Sequence, residues 1–255
     1  MKMNQIGLLL AMASFLFVFE SNAAEPKGKV FEINLSTKVL NQYVGDTGVV
    51  VYNRPVSQND LTITHIPSGI YLDIWQSISL NHSGRSTNFG NEIDYTLGWS
   101  GDIAGIGIDT GVAYLDLITL FKMTEGDVVQ PYIELNKKLD IAERHTLTPY
   151  VRVEYGIPAK GNAKEFKGLY VYTGLKHGCQ VSKNISISQK AAIIYDDGAY
   201  AADRAWVGTY EIAPSYRITD WLSFDLTGKI IGPFTNVNDG RKTQFIGGGG
   251  FSVNY

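Results

Sequence analysis

Four histidines and one cysteine are the side chains of this 255-residue chain best suited to proton transfer or nucleophilic attack. His82 is followed by Ser83, a base beside a hydroxyl. Acyl transfer needs the two within hydrogen-bond reach and a third group to orient the ring, and adjacency in sequence supplies neither. His65, His145 and His177 are expected at short-turn ends and His82 in a long loop. Gly247-Gly248-Gly249-Gly250 lacks the Lys-Ser/Thr and the following helix of a phosphate loop. It is expected to allow close packing or bending of a strand. Asp196-Asp197 and Asn238-Asp239 offer oxygen ligands to calcium, without the spaced set of a dedicated site. Cys179 is alone, so neither an intrachain disulfide nor a cysteine-built zinc centre exists. No catalytic residue, metal ligand or cofactor is assigned.

What does recur is an apolar side chain on every second residue. Within 91–100, Ile93, Tyr95, Leu97 and Trp99 alternate with Glu92, Asp94, Thr96, Gly98 and Ser100. As a helix these residues would scatter apolar groups on all sides; as a strand they form one apolar face. Residues 29–40 and 221–231 repeat the pattern. Twelve strands are expected, at 29–40, 60–66, 70–80, 91–100, 105–116, 128–138, 145–156, 167–177, 182–195, 205–217, 221–231 and 242–255.

Their connections alternate in length. Residues 67–69, 101–104, 139–144, 178–181 and 218–220 are short, whereas 41–59, 81–90, 117–127, 157–166, 196–204 and 232–241 are longer and rich in Gly, Asn and Asp. An even number of antiparallel strands with short turns at one end and long loops at the other is the pattern of an outer-membrane β-barrel. Tyr71, Trp75, Tyr95, Trp99, Tyr114, Tyr155, Tyr195, Trp206, Tyr210, Tyr216 and Trp221 fall mainly toward strand ends, as interfacial girdles do. Phe251, Val253 and Tyr255 alternate at the C-terminus. This ending is similar to the signal read by the barrel assembly machinery, an expected partner along with outer-membrane lipid.

Composition agrees. The chain is 44% apolar and 18% charged, with net charge −3 and no basic cluster, which argues against nucleic-acid binding. Residues 1–23 read as a secretory leader: Lys2, an apolar run from Ile6 to Phe19, and a cut between Ala23 and Ala24. Residues 24–255 are expected to form one all-β domain, a single antiparallel transmembrane barrel of about 12 strands. Its expected place is the outer membrane of a Gram-negative bacterium.

If the apolar face meets lipid, the other face lines a bore. That face carries Glu32, Asp73, Glu92, Asp94, Asp109, Glu134, Glu154, Glu211 and Asp225 against Lys38, Arg152, Lys190, Arg217 and Lys229, an acid-leaning set. Arg152, Lys190, Glu211, Asp225 and Lys229 fall near mid-depth and, with Glu134, are the candidate constriction residues. Lys190 is expected beside Glu211, and Glu211 beside Lys229. Such charges either pair to fill the barrel or select solutes.

The stretches Arg54-Pro55-Val56-Ser57-Gln58, Ser68-Gly69-Ile70-Tyr71-Leu72-Asp73-Ile74-Trp75 and Asn91-Glu92-Ile93-Asp94-Tyr95-Thr96-Leu97-Gly98-Trp99 resemble the Gcw_chp family of uncharacterised Gram-negative exported proteins. The resemblance covers roughly 39–136 and departs at Tyr43-Val44-Gly45, where the family usually carries an Arg-Gly pair. It implies an outer-membrane barrel and no particular substrate. Three functions follow as expectations: a narrow porin-like channel for small solutes or ions, a plugged structural or adhesive barrel acting through its outer loops, and a barrel hydrolase.

Overall fold

A computed structural model describes residues 28–81, 91–117, 126–160, 167–199 and 202–255. The leader at 1–23 and the His82-Ser83 pair lie outside the described residues. Among the described residues the elements are strands: β1 Phe31–Leu40, β2 Tyr43–Val44, β3 Val50–Tyr52, β4 Val56–His65, β5 Ile70–Ser79, β6 Glu92–Ile103, β7 Ile106–Asp116, β8 Val128–Asn136, β9 Leu139–Ala142, β10 His145–Pro158, β11 Gly168–Gln180, β12 Ile185–Asp196, β13 Ala205–Arg217, β14 Leu222–Pro233 and β15 Gln244–Asn254.

Twelve of these close on themselves. The order runs β11-β12-β13-β14-β15-β1-β4-β5-β6-β7-β8-β10, and β10 returns to pair with β11. β1 and β15 join the two ends of the chain in register, from Asn34 opposite Asn254 to Leu40 opposite Gly248. All pairings are antiparallel. Closure leaves these strands no open edge, which is the condition for backbone to stand in a medium without water.

The period-two alternation sorts the two faces. Leu97 is 63% exposed and Leu226 48% exposed, while Ile194, Val207 and Ile231 on the inner face are buried. Apolar surface this extensive on the outside marks a contact face, not a solvated one. Inward direction is fixed by contacts that skip a strand, since only a concave wall brings such side chains together. The Tyr71 hydroxyl on β5 donates to Asp109 on β7 at 2.7 Å. Lys176 on β11 donates to Glu134 on β8 at 2.6 Å.

The turn between β6 and β7 shows why the short connections hold. Ala104 and Gly105 both have positive φ, 55° and 80°, the two-residue geometry that matches strand twist. The Asp102 carboxylate accepts from the Gly105 amide at 2.8 Å and closes it. The glycine run also behaves as expected, since a Cβ on Gly250 would come within 2.7 Å of the Lys38 Cα across the β15–β1 seam.

Three expectations are corrected. β4 starts at Val56, four residues before the expected 60, because Pro55 ends the preceding loop and Val56 pairs at once with Leu40. The segment 139–144, expected as a turn, contains β9, which pairs with β10 through Leu147–Leu139 and prolongs the line of β8 beyond Lys137 and Lys138. Tyr71 and Trp75 do not join an outer girdle: Tyr71 meets Asp109, and Trp75 lies 5.6 Å from the Tyr43 ring. Both share the inward parity of Asp73.

Candidate functional site: a hairpin across the bore

The loop after β1 is not a loop. Tyr43-Val44 and Val50-Val51-Tyr52 flank a Gly45-Asp46-Thr47-Gly48 turn and pair as a two-stranded hairpin. Gly48 has φ 81° and its amide donates to the Gly45 carbonyl at 2.9 Å, so the turn needs a residue free of a Cβ there. β-Branched residues on both sides of a Gly-Asp-Thr-Gly turn are the sequence signal for it.

The hairpin touches opposite sides of the barrel. At its base the Tyr43 hydroxyl donates to Glu92 on β6 at 2.7 Å. At its tip Asp46 lies 3.3 Å from the Lys229 ammonium on β14. Counting round the closed order, β6 and β14 are separated by β7, β8, β10, β11, β12 and β13 one way and by β5, β4, β1 and β15 the other. A segment bonded to both inner walls must cross the bore. Val44 packs with Leu40, Val56, Tyr150, Tyr172, Val207 and Ile231 in one buried cluster, joined by Tyr43 and Tyr52. Burial of these apolar side chains anchors the hairpin against one wall, at roughly 1.5–3 kcal/mol for each large residue fully covered.

A second tie comes from the long-loop end. Arg241, between β14 and β15, donates to the Thr47 carbonyl at 3.2 Å and to Asp196 at 2.7 Å. It also pairs with Asp239 at 2.7 Å and bonds the Asp203 carbonyl. The Arg241 and Asp196 side chains are 2% and 0% exposed. Asp196-Asp197 and Asn238-Asp239 therefore hold arginine: Asp196 and Asp239 meet Arg241, and Asp197 meets Arg204 at 2.8 Å. Against the cost of its burial, the amides of Arg241 and Asp203 and the Arg241 charge keep the Asp239 carboxyl below its ordinary range.

The six candidate constriction residues all face inward. Lys190 stands opposite Glu211, and Glu211 opposite Lys229, in the register of β12, β13 and β14. Yet the three do not form one cluster. Lys229 reaches Asp46 on the hairpin, and the Lys190 ammonium lies 5.5 Å from the centre of the Tyr150 ring. Arg152 pairs with Glu154 and covers the Tyr132 ring at 3.9 Å, while Glu134 is held by Lys176. Asp225 lies across from Ser215 and Gly250. Asp46, Tyr43, Asp60, Lys176 and Arg241 are the bore and latch residues that the expected set lacked. Lys176 was visible in the parity of β11, and Asp60 was obscured by the late start assigned to its strand.

The charges divide the bore. β4 to β7 carry Asp60, Asp73, Glu92, Asp94 and Asp109 on the inner face and no base. β10 to β14 carry Arg152, Lys176, Lys190, Arg217 and Lys229 against Glu154, Glu211 and Asp225, so bases prevail there. In a closed order of twelve, β5 stands opposite β12 and β6 opposite β13, so a field runs across the bore. Asp46 brings an acidic group to the basic side, where its side chain is 68% exposed within the bore. Lys229 first, with Lys190 and Arg152 behind it, holds the Asp46 carboxyl below its ordinary value against the effect of enclosure.

The histidines stand elsewhere. His65 Nδ1 lies 2.8 Å from the Ser68 hydroxyl, but that hydroxyl also accepts from the Ile70 amide and caps the turn, and the ring packs on Phe31. On the outer wall His145 Nδ1 lies 3.1 Å from His177 Nε2, with Cys179 and Gln189 continuing the row. Among the described residues no carboxylate bonds any of these rings. A groove of about 500 Å³ between β11 and β14 is walled partly by outward-facing Leu175, Ile193 and Tyr210, away from the charged bore.

No family model and no curated sequence matches the chain. Solved structures do. The NanC porin superimposes with TM-score 0.54 at 9% identity, covering 88% of this chain and 98% of that one. The KdgM porin gives 0.51 at 10% identity, covering 88% and 99%. A second KdgM structure, in complex with disordered oligogalacturonate, gives the same score and identity. The fold is that of an outer-membrane porin. At these identities the likeness extends to the barrel and not to a solute.

Proposed function

We propose that this protein is a narrow outer-membrane channel for small polar solutes, with its bore set by the β2–β3 hairpin. The observation that carries the reading is the hairpin itself, bonded to Glu92 on one wall and Lys229 on the opposite one inside a closed porin-type barrel. A transverse field orders water and aligns dipolar solutes as they pass. Inner-wall acids outnumber bases, which gives the open channel a mild preference for cations. The leader at 1–23 directs export, and Phe251, Val253 and Tyr255 present the terminal strand to the assembly machinery. The resemblance to the Gcw_chp family agrees with this reading. Swelling of proteoliposomes graded by solute size tests it: glycerol should enter and raffinose should not. Entry of neither, with folded protein in the vesicles, would show a plugged barrel.

Membrane placement has its own test. Leu97→Arg and Leu226→Arg should each destabilise the barrel by about 2–4 kcal/mol when near the bilayer midplane, and the bore-facing Thr96→Arg should escape that lipid-transfer cost. Reversible unfolding titrations in bilayers report the difference. Equal tolerance of arginine on both faces would contradict the assigned lipid face.

The hairpin should also respond to acid. Because Asp46 has a lowered folded pKa, its contact with Lys229 is complete above the ordinary carboxylate value of 3.8 and is lost as pH falls through the lower folded value. Conductance should therefore step upward below that range as the tip loosens. Asp46→Asn should show the higher conductance already at neutral pH, with no acid step. A wild-type conductance flat through this range would rule out control by the Asp46 contact.

A further inference from the structure

Between β10, β11, β12 and β13 the bore holds a cavity of about 340 Å³. Its wall includes the bore-facing Thr148, Lys176, Ser188, Lys190 and Glu211, and His177 and Gln189, whose parity is outward, also border it. The charges are not equivalent. Lys176 is bonded to Glu134 at 2.6 Å and is neutralised by it. Lys190 and Glu211 are directly opposite in the β12–β13 register, yet neither forms an ion pair among the described residues. An ammonium and a carboxylate thus stand side by side, with Cβ atoms about 5 Å apart as in any cross-strand pair, and both line the same cavity.

We infer that this cavity is a binding subsite for small zwitterionic solutes, taking a carboxylate on Lys190 and an ammonium on Glu211. The inference rests on the channel reading and names the solute class that the channel favours. The four charges, Lys176 with Glu134 and Lys190 with Glu211, sum to zero. A simple anion drawn to Lys190 meets the Glu211 carboxylate beside it, and a simple cation meets Lys190. A solute carrying both charges satisfies both groups at once, and the Thr148 hydroxyl can donate to the remaining carboxylate oxygen. The volume suits a molecule of amino-acid size with a few waters, roughly 30 Å³ each.

Four solutes of similar size separate the possibilities: serine, lactate, ethanolamine and glycerol. Labelled uptake into proteoliposomes should show serine entering severalfold faster than glycerol and saturating. Lys190→Met should reduce serine to the glycerol rate and favour ethanolamine, and Glu211→Gln should favour lactate. The exchange Lys190→Glu with Glu211→Lys should restore serine. Equal wild-type rates for serine and glycerol, or single variants that leave the order unchanged, would overturn the subsite. Failure of glycerol to enter would instead remove the channel reading. Equilibrium binding of labelled serine to the folded barrel in detergent then judges the subsite without transport: binding lost in Lys190→Met supports it, and no wild-type binding overturns it.

Discussion

Arg241→Ala should cost the barrel about 3–5 kcal/mol, because it leaves the Asp196 carboxylate buried without its partner. The side chains of both residues are within 2% of complete burial, and Arg241 also carries bonds to Asp203, Asp239 and the Thr47 carbonyl. One guanidinium thereby ties the β12–β13 segment, the β14–β15 segment and the hairpin tip together. Its loss should act on stability and on the bore alike. Urea titration in bilayers would register the stability loss, and single-channel records would show added open-channel noise. Replacing both members of the pair with apolar residues should recover much of the stability without the Thr47 bond. In that double variant the noise should persist. A loss below about 1 kcal/mol, the range of an exposed pair, would mean that water reaches the latch.

Removing the hairpin should have the largest effect on permeation. Replacement of residues 43–52 by a short Gly-Ser linker takes out the segment between Glu92 and Lys229 and uncovers the inner faces of Val207 and Ile231. Conductance should rise severalfold, and solutes excluded by the wild type, such as raffinose, should enter vesicles. The twelve-strand wall keeps its hydrogen-bond register without β2 and β3, which pair only with one another. Heat-modifiable migration on gels checks that the barrel has formed. Unchanged conductance in a folded variant would place the narrowest point elsewhere in the bore.

The wall of this molecule was legible in the sequence because each strand repeats the same two-residue decision. Leu97 and Leu226 could face only outward once Asp94 and Asp225 faced inward, and the register that sets Glu211 against Lys229 followed from the short turn at 218–220. The bore was less legible. Which partner Lys229 takes depends on where the segment after β1 folds, and nothing in the alternation of β14 carries that information. Asp46 and Lys229 are 183 positions apart. The latch was hidden for a related reason, since Asp196-Asp197 and Asn238-Asp239 read as loop oxygens open to a cation until Arg241 is seen between them. Register is a local property of neighbouring strands, whereas filling of a lumen is decided by loops that return to it from a distance.

The most direct test of a hairpin-narrowed channel is the single-channel conductance of the wild-type protein in a planar bilayer. Discrete, long-lived openings of small amplitude are expected, with a reversal potential in a KCl gradient displaced toward cation preference. Membranes that stay silent while folded, heat-modifiable protein is present would contradict it.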